Sequence, residues 1–147
     1  MKNQNTVFIA ITFALAVAVA PVSQGDISPE ASPGGGPAIS IHSVGNISRG
    51  KTGAFVLTAS PAITAAGASV RFVNFGVSGT AIPGVDYVAL VSPAFIGQSG
   101  FGVILVKTLP DPRALIGRQS YSVEIKLLPG AGYAVAAPSA AQLLIEP

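Results

Sequence analysis

Hydrophobic and polar residues alternate with a period of two along much of the chain, most clearly at residues 118–128. Successive side chains of a β-strand point to opposite faces, so this pattern predicts a half-buried strand. Within it, Tyr121 and Val123 are expected to lie in the core and Glu124 to face water. The predicted core face carries Gln119, Tyr121, Val123, Ile125 and Leu127, and the polar face carries Arg118, Ser120, Ser122, Glu124 and Lys126.

Six other short segments also resemble strands. Ile39 and Ile41 share one face of the first segment, and His42 lies on its polar face, where we expect it to meet solvent. Residues 101–109 are rich in β-branched residues, which is typical of a buried strand. The six segments are 38–44, 53–60, 70–77, 86–93, 101–109 and 140–147.

No segment after the N-terminal region has the period of an amphipathic helix. Short strands separated by turn residues at regular intervals predict an all-β chain, folded as an immunoglobulin-like antiparallel β-sandwich of about seven strands. The cysteine pair and core tryptophan of antibody domains are missing, because the chain contains neither residue type. Antibody domains themselves are therefore excluded.

The N-terminal residues predict export. Lys2 precedes a run at residues 7–20 that is apolar except for Thr12, and this run is shorter than the ~20 residues that a membrane-spanning helix needs. We expect residues 1–25 to be a signal peptide, cleaved after Gly25 or after Ala18. Residues 26–37 are rich in proline and glycine and predict a linker, followed by one domain at residues 38–147. The predicted location is therefore secreted, periplasmic or on the cell surface, with no membrane span in the mature chain.

Composition narrows the possible functions. The net charge is +2 and the basic residues form no cluster, so no nucleic-acid partner is expected. Without cysteine the chain has no disulfide, thiolate metal site or cysteine nucleophile. His42 is the only histidine and no Gly-x-Ser-x-Gly motif is present, so a hydrolase triad is not indicated. We therefore predict no catalytic residues, and an enzyme remains only a remote alternative.

Four segments, in this order, resemble the Calx-beta family. They are "FVLTASPA" (55–62), "VRFVNFGVSGTAIPGVDY" (70–87), "FGVILVKTLPD" (101–111) and "QSYSVEIKLLPGAGYAV" (119–135). The resemblance covers roughly residues 44–146, and its most specific part is the sequence at 79–87. Family members are calcium-binding or related sandwich modules of sodium–calcium exchangers, an integrin tail and many exported bacterial proteins. The resemblance therefore implies a sandwich whose end loops belong to a calcium-binding family.

Most of the calcium ligands that the resemblance implies are absent. The family's acidic positions fall on Arg49 or Lys51, on Ser78, and on Ile116 and Gln119. Only Asp111 and Glu146 remain as possible metal ligands, whereas calcium takes ~6–8 oxygen atoms. The cations Arg49, Lys51, Arg113 and Arg118 would oppose a divalent ion at the same rim. We therefore predict a vestigial site, in which Asp86 accepts backbone hydrogen bonds within its own turn.

These observations favour an exported structural or adhesive module that acts by surface recognition and needs no cofactor. Its partner would be an unidentified protein or a component of the envelope or matrix. The alternative is a weak calcium-binding module that uses Asp111, Glu146 and backbone carbonyl groups.

Overall fold

The computed structural model describes residues 36–61, 72–110 and 119–147, and these ranges contain strands and loops but no helix. No helix in the described part of the chain is long and apolar enough to cross a bilayer. The predicted signal peptide, most of the predicted linker, Asp111, Arg113, Ile116 and Arg118 lie outside the described residues. The strands are β1 (Ala38–Ser43), β2 (Ile47–Ser48), β3 (Thr52–Ser60), β4 (Phe72–Val73), β5 (Phe75–Ser78), β6 (Ala94–Phe95), β7 (Phe101–Lys107), β8 (Tyr121–Leu127), β9 (Ala134–Val135) and β10 (Ala140–Glu146).

The strands form two four-stranded sheets and one small pair. Sheet A has the order β7-β3-β1-β9, sheet B has the order β2-β10-β8-β5, and β4 pairs with β6. The long neighbours run antiparallel, while the two-residue strands β9 and β2 pair in parallel with β1 and β10. The predicted all-β fold is confirmed.

A single hydrophobic core joins the two sheets. Ile39 and Ile41 enter it from β1, and Val123 and Ile125 enter it from β8, all fully buried. Tyr121 is only partly buried and packs against this core, and Glu124 is half-buried. The faces predicted for β1 are confirmed, because Ile39 and Ile41 are buried and His42 is exposed. On β8 the prediction is confirmed for Val123, whereas Tyr121 and Glu124 are both only partly buried.

The chain enters and leaves this body at opposite ends. At the start of β1, Ala38 is paired with Ser60, the last residue of β3. At the end of β10, the carbonyl oxygen of Glu146 accepts a hydrogen bond of 3.0 Å from the Arg49 amide, three residues before β3 begins. The first residue of β1 and the last residue of β10 are thus separated by the length of the sandwich.

The prediction of a strand at residues 86–93 is wrong. Asp86 closes a turn, and the Val88 amide donates to the Lys107 carbonyl oxygen at 2.9 Å, but the chain then leaves β7. Backbone pairing with β7 resumes at the bridge between Ile96 and Gly102. The polarity pattern of residues 86–93 does not predict this loss of pairing, because alternation depends on side-chain polarity and not on which strand the backbone bonds to.

The predicted strand at residues 70–77 is interrupted at Asn74, which lies between β4 and β5. The Asn74 amide donates a hydrogen bond of 3.0 Å to the Tyr133 hydroxyl, a partner far along the sequence. That hydroxyl donates in turn to the Leu128 carbonyl oxygen at 2.6 Å. The Tyr133 side chain, from the loop before β9, therefore takes the place of a neighbouring strand as the hydrogen-bond partner of the Asn74 amide.

The prediction that residues 101–109 form a buried strand holds for only one face of β7. Phe101, Val103 and Leu105 are 56%, 54% and 61% exposed, while Ile104 and Val106 between them are buried. β7 is an edge strand of sheet A, and only its inner face meets the core. The sequence of β7 is apolar on both faces, although the fold covers just one of them.

Candidate functional site

The candidate site lies at the end of the sandwich where the calcium-family loops are expected. Arg49 follows β2, Asp86 ends a turn between β5 and β6, and Tyr121 begins β8. Nη2 of Arg49 lies 3.2 Å from Oδ1 of Asp86, and the guanidinium carbon lies 5.2 Å from the centroid of the Tyr121 ring. The fold thus brings together a cation, a carboxylate and an aromatic ring from three separate segments.

Residues 79–87 form the tight turn that positions Asp86. The Asp86 amide donates to the Ile82 carbonyl oxygen at 2.8 Å, and the Ile82 amide donates to Oδ2 of Asp86 at 2.7 Å. Gly84, in the same turn, has a φ of +80°, a conformation that glycine adopts without steric cost. The prediction that Asp86 accepts a hydrogen bond within its own turn is therefore confirmed.

The start of this loop is fixed to β8 by reciprocal hydrogen bonds. The Thr80 amide donates to Ser122 Oγ at 3.0 Å, and the Ser122 amide donates to Thr80 Oγ1 at 2.8 Å. Gly79 has a φ of +121°, and a Cβ at this position would overlap the Ser122 carbonyl oxygen. Ser122 is therefore buried, although strand alternation placed it on the polar face.

Both members of the ion pair are removed from water. The side chain of Asp86 is fully buried and that of Arg49 is 9% exposed. A buried carboxylate keeps its charge only when a cation or several hydrogen bonds compensate for its lost hydration. Asp86 has both kinds of partner, one from Arg49 and one from the Ile82 amide. Arg49 therefore balances the charge of Asp86, whereas its expected role at this rim was to repel a bound ion.

Burial raises the pKa of the neighbouring Tyr87 above its ordinary value of 10.0, and the negative charge of Asp86 raises it further. A raised folded-state pKa means that the unfolded chain loses this proton first as the pH increases. The resulting stabilisation is complete below pH 10 and is lost as the pH rises toward the folded-state pKa.

We therefore expect the free energy of unfolding to fall above about pH 10, by up to ~1.4 kcal/mol per pH unit for this one group. Tyr87→Phe removes the titrating hydroxyl, so the stability of the wild-type protein relative to this variant should decline above that pH. Urea unfolding from pH 7 to pH 11 measures the difference. A constant difference over this range would show that Tyr87 ionises equally in both states.

Of the two candidate metal ligands, only Glu146 lies within the described structure. Oε1 of Glu146 accepts a hydrogen bond of 3.0 Å from the Asn46 side chain, and Asn46 Oδ1 accepts the Leu144 amide at 3.1 Å. Asp111 lies outside the described residues. Ser78 ends β5 in an exposed position opposite Glu124. Among the described residues no three histidine, aspartate or glutamate side chains come close enough to hold a metal ion.

Two other predicted positions can be placed. His42 is exposed on β1, as the alternation predicted. Gln119 is exposed and precedes β8, so it is not part of the core face on which the pattern placed it. The pairing of Arg49 with Asp86 was missed, because the two residues are 37 positions apart and no local pattern connects them.

Comparison with known proteins does not identify a family. No protein-family model matches the chain, and no curated protein has significant sequence similarity to it.

Proposed function

We propose that this chain is an exported structural or adhesive β-sandwich module of the Calx-beta type, which acts by surface recognition and has lost its calcium site. Export rests on the apolar run at residues 7–20 after Lys2, a length that suits a signal peptide. The family assignment rests on the order of the four sequence segments, and the all-β fold agrees with it.

The observation that carries the proposal is the ion pair between Arg49 and Asp86. A calcium ion held by end loops would neutralise their carboxylates. Here the guanidinium of Arg49 neutralises the buried Asp86 at 3.2 Å and also contacts the Tyr121 ring. The loops are joined by a cation that belongs to the chain itself. We infer that the end of the sandwich keeps its shape without an added ion.

Calcium is therefore expected to leave the melting temperature unchanged at millimolar concentration. A ligand that binds only the folded state, at ~100 times its dissociation constant, would add about 2.7 kcal/mol of stability. A shift of that size is easily seen in a domain of this length. Differential scanning calorimetry with calcium chloride, and with magnesium chloride as the matched salt, measures it. A calcium-specific increase would favour the alternative of a weak calcium-binding module using Asp111 and Glu146.

A variant in which the missing carboxylates are restored tests the same proposal, because it should gain the calcium response that the wild type lacks. Arg49→Glu, combined with Ser78→Asp and Gln119→Glu, removes the internal cation and adds acids where the family has them. We expect this variant to be less stable than the wild type in chelator, because Asp86 then faces like charge. Calcium should restore part of the loss. No calcium effect on the variant would mean that the assigned positions do not converge.

A further inference from the structure

One broad surface of the sandwich is apolar and exposed. Phe72 pairs with Phe95 across the β4–β6 pair, with their ring centroids 5.9 Å apart. The bridge between Ile96 and Gly102 sets Phe95 opposite Val103 on β7. The exposed apolar side chains of the β4–β6 pair and of the outer side of sheet A therefore form one continuous surface. This apolar face consists of Val44, Phe72, Phe95, Phe101, Val103 and Leu105, each between 54% and 69% exposed.

The apolar face carries little charge. The four strands of sheet A contain no aspartate or glutamate. His42 lies within the face, opposite Val56, which in turn is opposite Val103. Two exposed cations, Lys51 and Lys107, lie together at one end, where the Thr108 amide donates to the Lys51 carbonyl oxygen at 3.1 Å. A second surface of the same kind would meet it without repulsion between carboxylates.

Within the described residues, two grooves border the exposed Leu105 side chain on the apolar face. Leu105 lines both grooves and separates them. The larger groove has a volume of about 360 Å³ and lies between β7 and the segment from Val88 to Phe95. The smaller has about 290 Å³ and is lined by Val44 and Ala54 among others. A leucine side chain on one surface can pack into a groove on another.

We propose that the apolar face binds the apolar face of a second copy of this chain, around a two-fold axis. This inference rests on the proposed function, because it names the recognition surface and its partner. Leu105 of each copy packs into a groove of the other, and the exposed phenylalanines lie around this contact. β7 is then covered on both sides, in agreement with its two apolar faces.

The area available is sufficient for a dimer. Aromatic side chains bury roughly 150–250 Å² each, so six large side chains, each more than half exposed, offer on the order of 500–600 Å² per copy. The two copies together reach the ~1,000 Å² that a specific interface needs. A membrane surface fits less well, since Lys51 and Lys107 supply only about 1 kcal/mol each toward anionic lipid.

The test is the oligomeric state of the exported protein after removal of its signal peptide, by sedimentation velocity from about 1 µM to about 100 µM, where an interface of modest affinity is populated. We expect a reversible dimer. Leu105→Glu places a carboxylate on the apolar face and should raise the dimer dissociation constant by about 30-fold or more. Leu128→Glu is the matched control, because Leu128 is a 40% exposed leucine that follows β8 on sheet B. Its dissociation constant should equal that of the wild type.

A wild-type monomer over the whole concentration range would overturn the inference, as would equal dimerisation by Leu105→Glu and Leu128→Glu. Val103→Thr, which keeps the shape of the side chain, is the second variant, and it should also weaken the dimer. If the wild-type protein is monomeric and binds phosphatidylglycerol vesicles, the partner of the apolar face is a lipid surface and not a second copy of the chain. The calcium titration does not depend on the oligomeric state. A result that contradicts the dimer can therefore be distinguished from one that contradicts the loss of the calcium site.

Discussion

Val123→Asp is expected to unfold the protein. Val123 is fully buried on β8 and paired with Leu143 on β10, in the middle of sheet B. A carboxylate placed there loses its hydration and finds no cation, a change that costs several kcal/mol in a core that supplies only ~5–15 kcal/mol of net stability. Circular dichroism and chemical denaturation at pH 7 should show an unfolded chain or a transition midpoint close to zero denaturant.

The matched control is the adjacent position on the opposite face. Glu124→Gln removes a charge from a half-buried residue that the structure leaves outside the core, so we expect a change below about 0.5 kcal/mol. Equal losses for Val123→Asp and Glu124→Gln would contradict the orientation of β8.

Separating Arg49 from Asp86 is expected to have the second largest effect. Arg49→Met leaves the fully buried Asp86 carboxylate without its guanidinium partner, and Asp86→Asn leaves that guanidinium without its carboxylate. Removing one member of a buried ion pair typically costs about 3–5 kcal/mol. Guanidinium chloride unfolding of each variant measures the loss, which should hardly depend on added calcium.

The double variant Arg49→Met/Asp86→Asn separates the ion pair from the packing of the turn. We expect it to be more stable than the sum of the single losses predicts, because no buried charge is left without its partner. Glu146→Gln is a suitable control, since it changes an exposed carboxylate bonded to Asn46 and should cost less than about 1 kcal/mol. If each single variant loses less than about 1 kcal/mol of unfolding free energy, the ion pair contributes little to the stability of the loop.

The alternation along the chain predicted the strands whose two faces differ in polarity. β1 and β8 are of this kind, and Ile39, Ile41 and Val123 were placed in the core correctly. The exposed face of β7 is not marked in the sequence, because both faces of this strand are apolar. At residues 86–93 the backbone departs from β7 although the polarity pattern continues.

The candidate site was predictable only in part. The turn at residues 79–87 followed from its glycine and aspartate positions, and the hydrogen bond from the Ile82 amide to Asp86 confirms that interpretation. The partner of Asp86 could not be predicted, because Arg49 reaches it through the folding of β2 against β10. Ser122 was assigned to the solvent face for a similar reason, as strand alternation takes no account of a loop that covers the strand.

The positions at which the chain enters and leaves the sandwich determine how the domain would carry tension. Ala38 and Glu146 are at opposite ends, and each belongs to a strand bonded to neighbours on both sides. A force applied through Pro37 and Pro147 is therefore directed along β1 and β10, so their hydrogen bonds are sheared together and not opened one after another. Rupture under load depends on the rate of unfolding. The described body would therefore resist a force applied between Ala38 and Glu146 better than one that peels a single edge strand away.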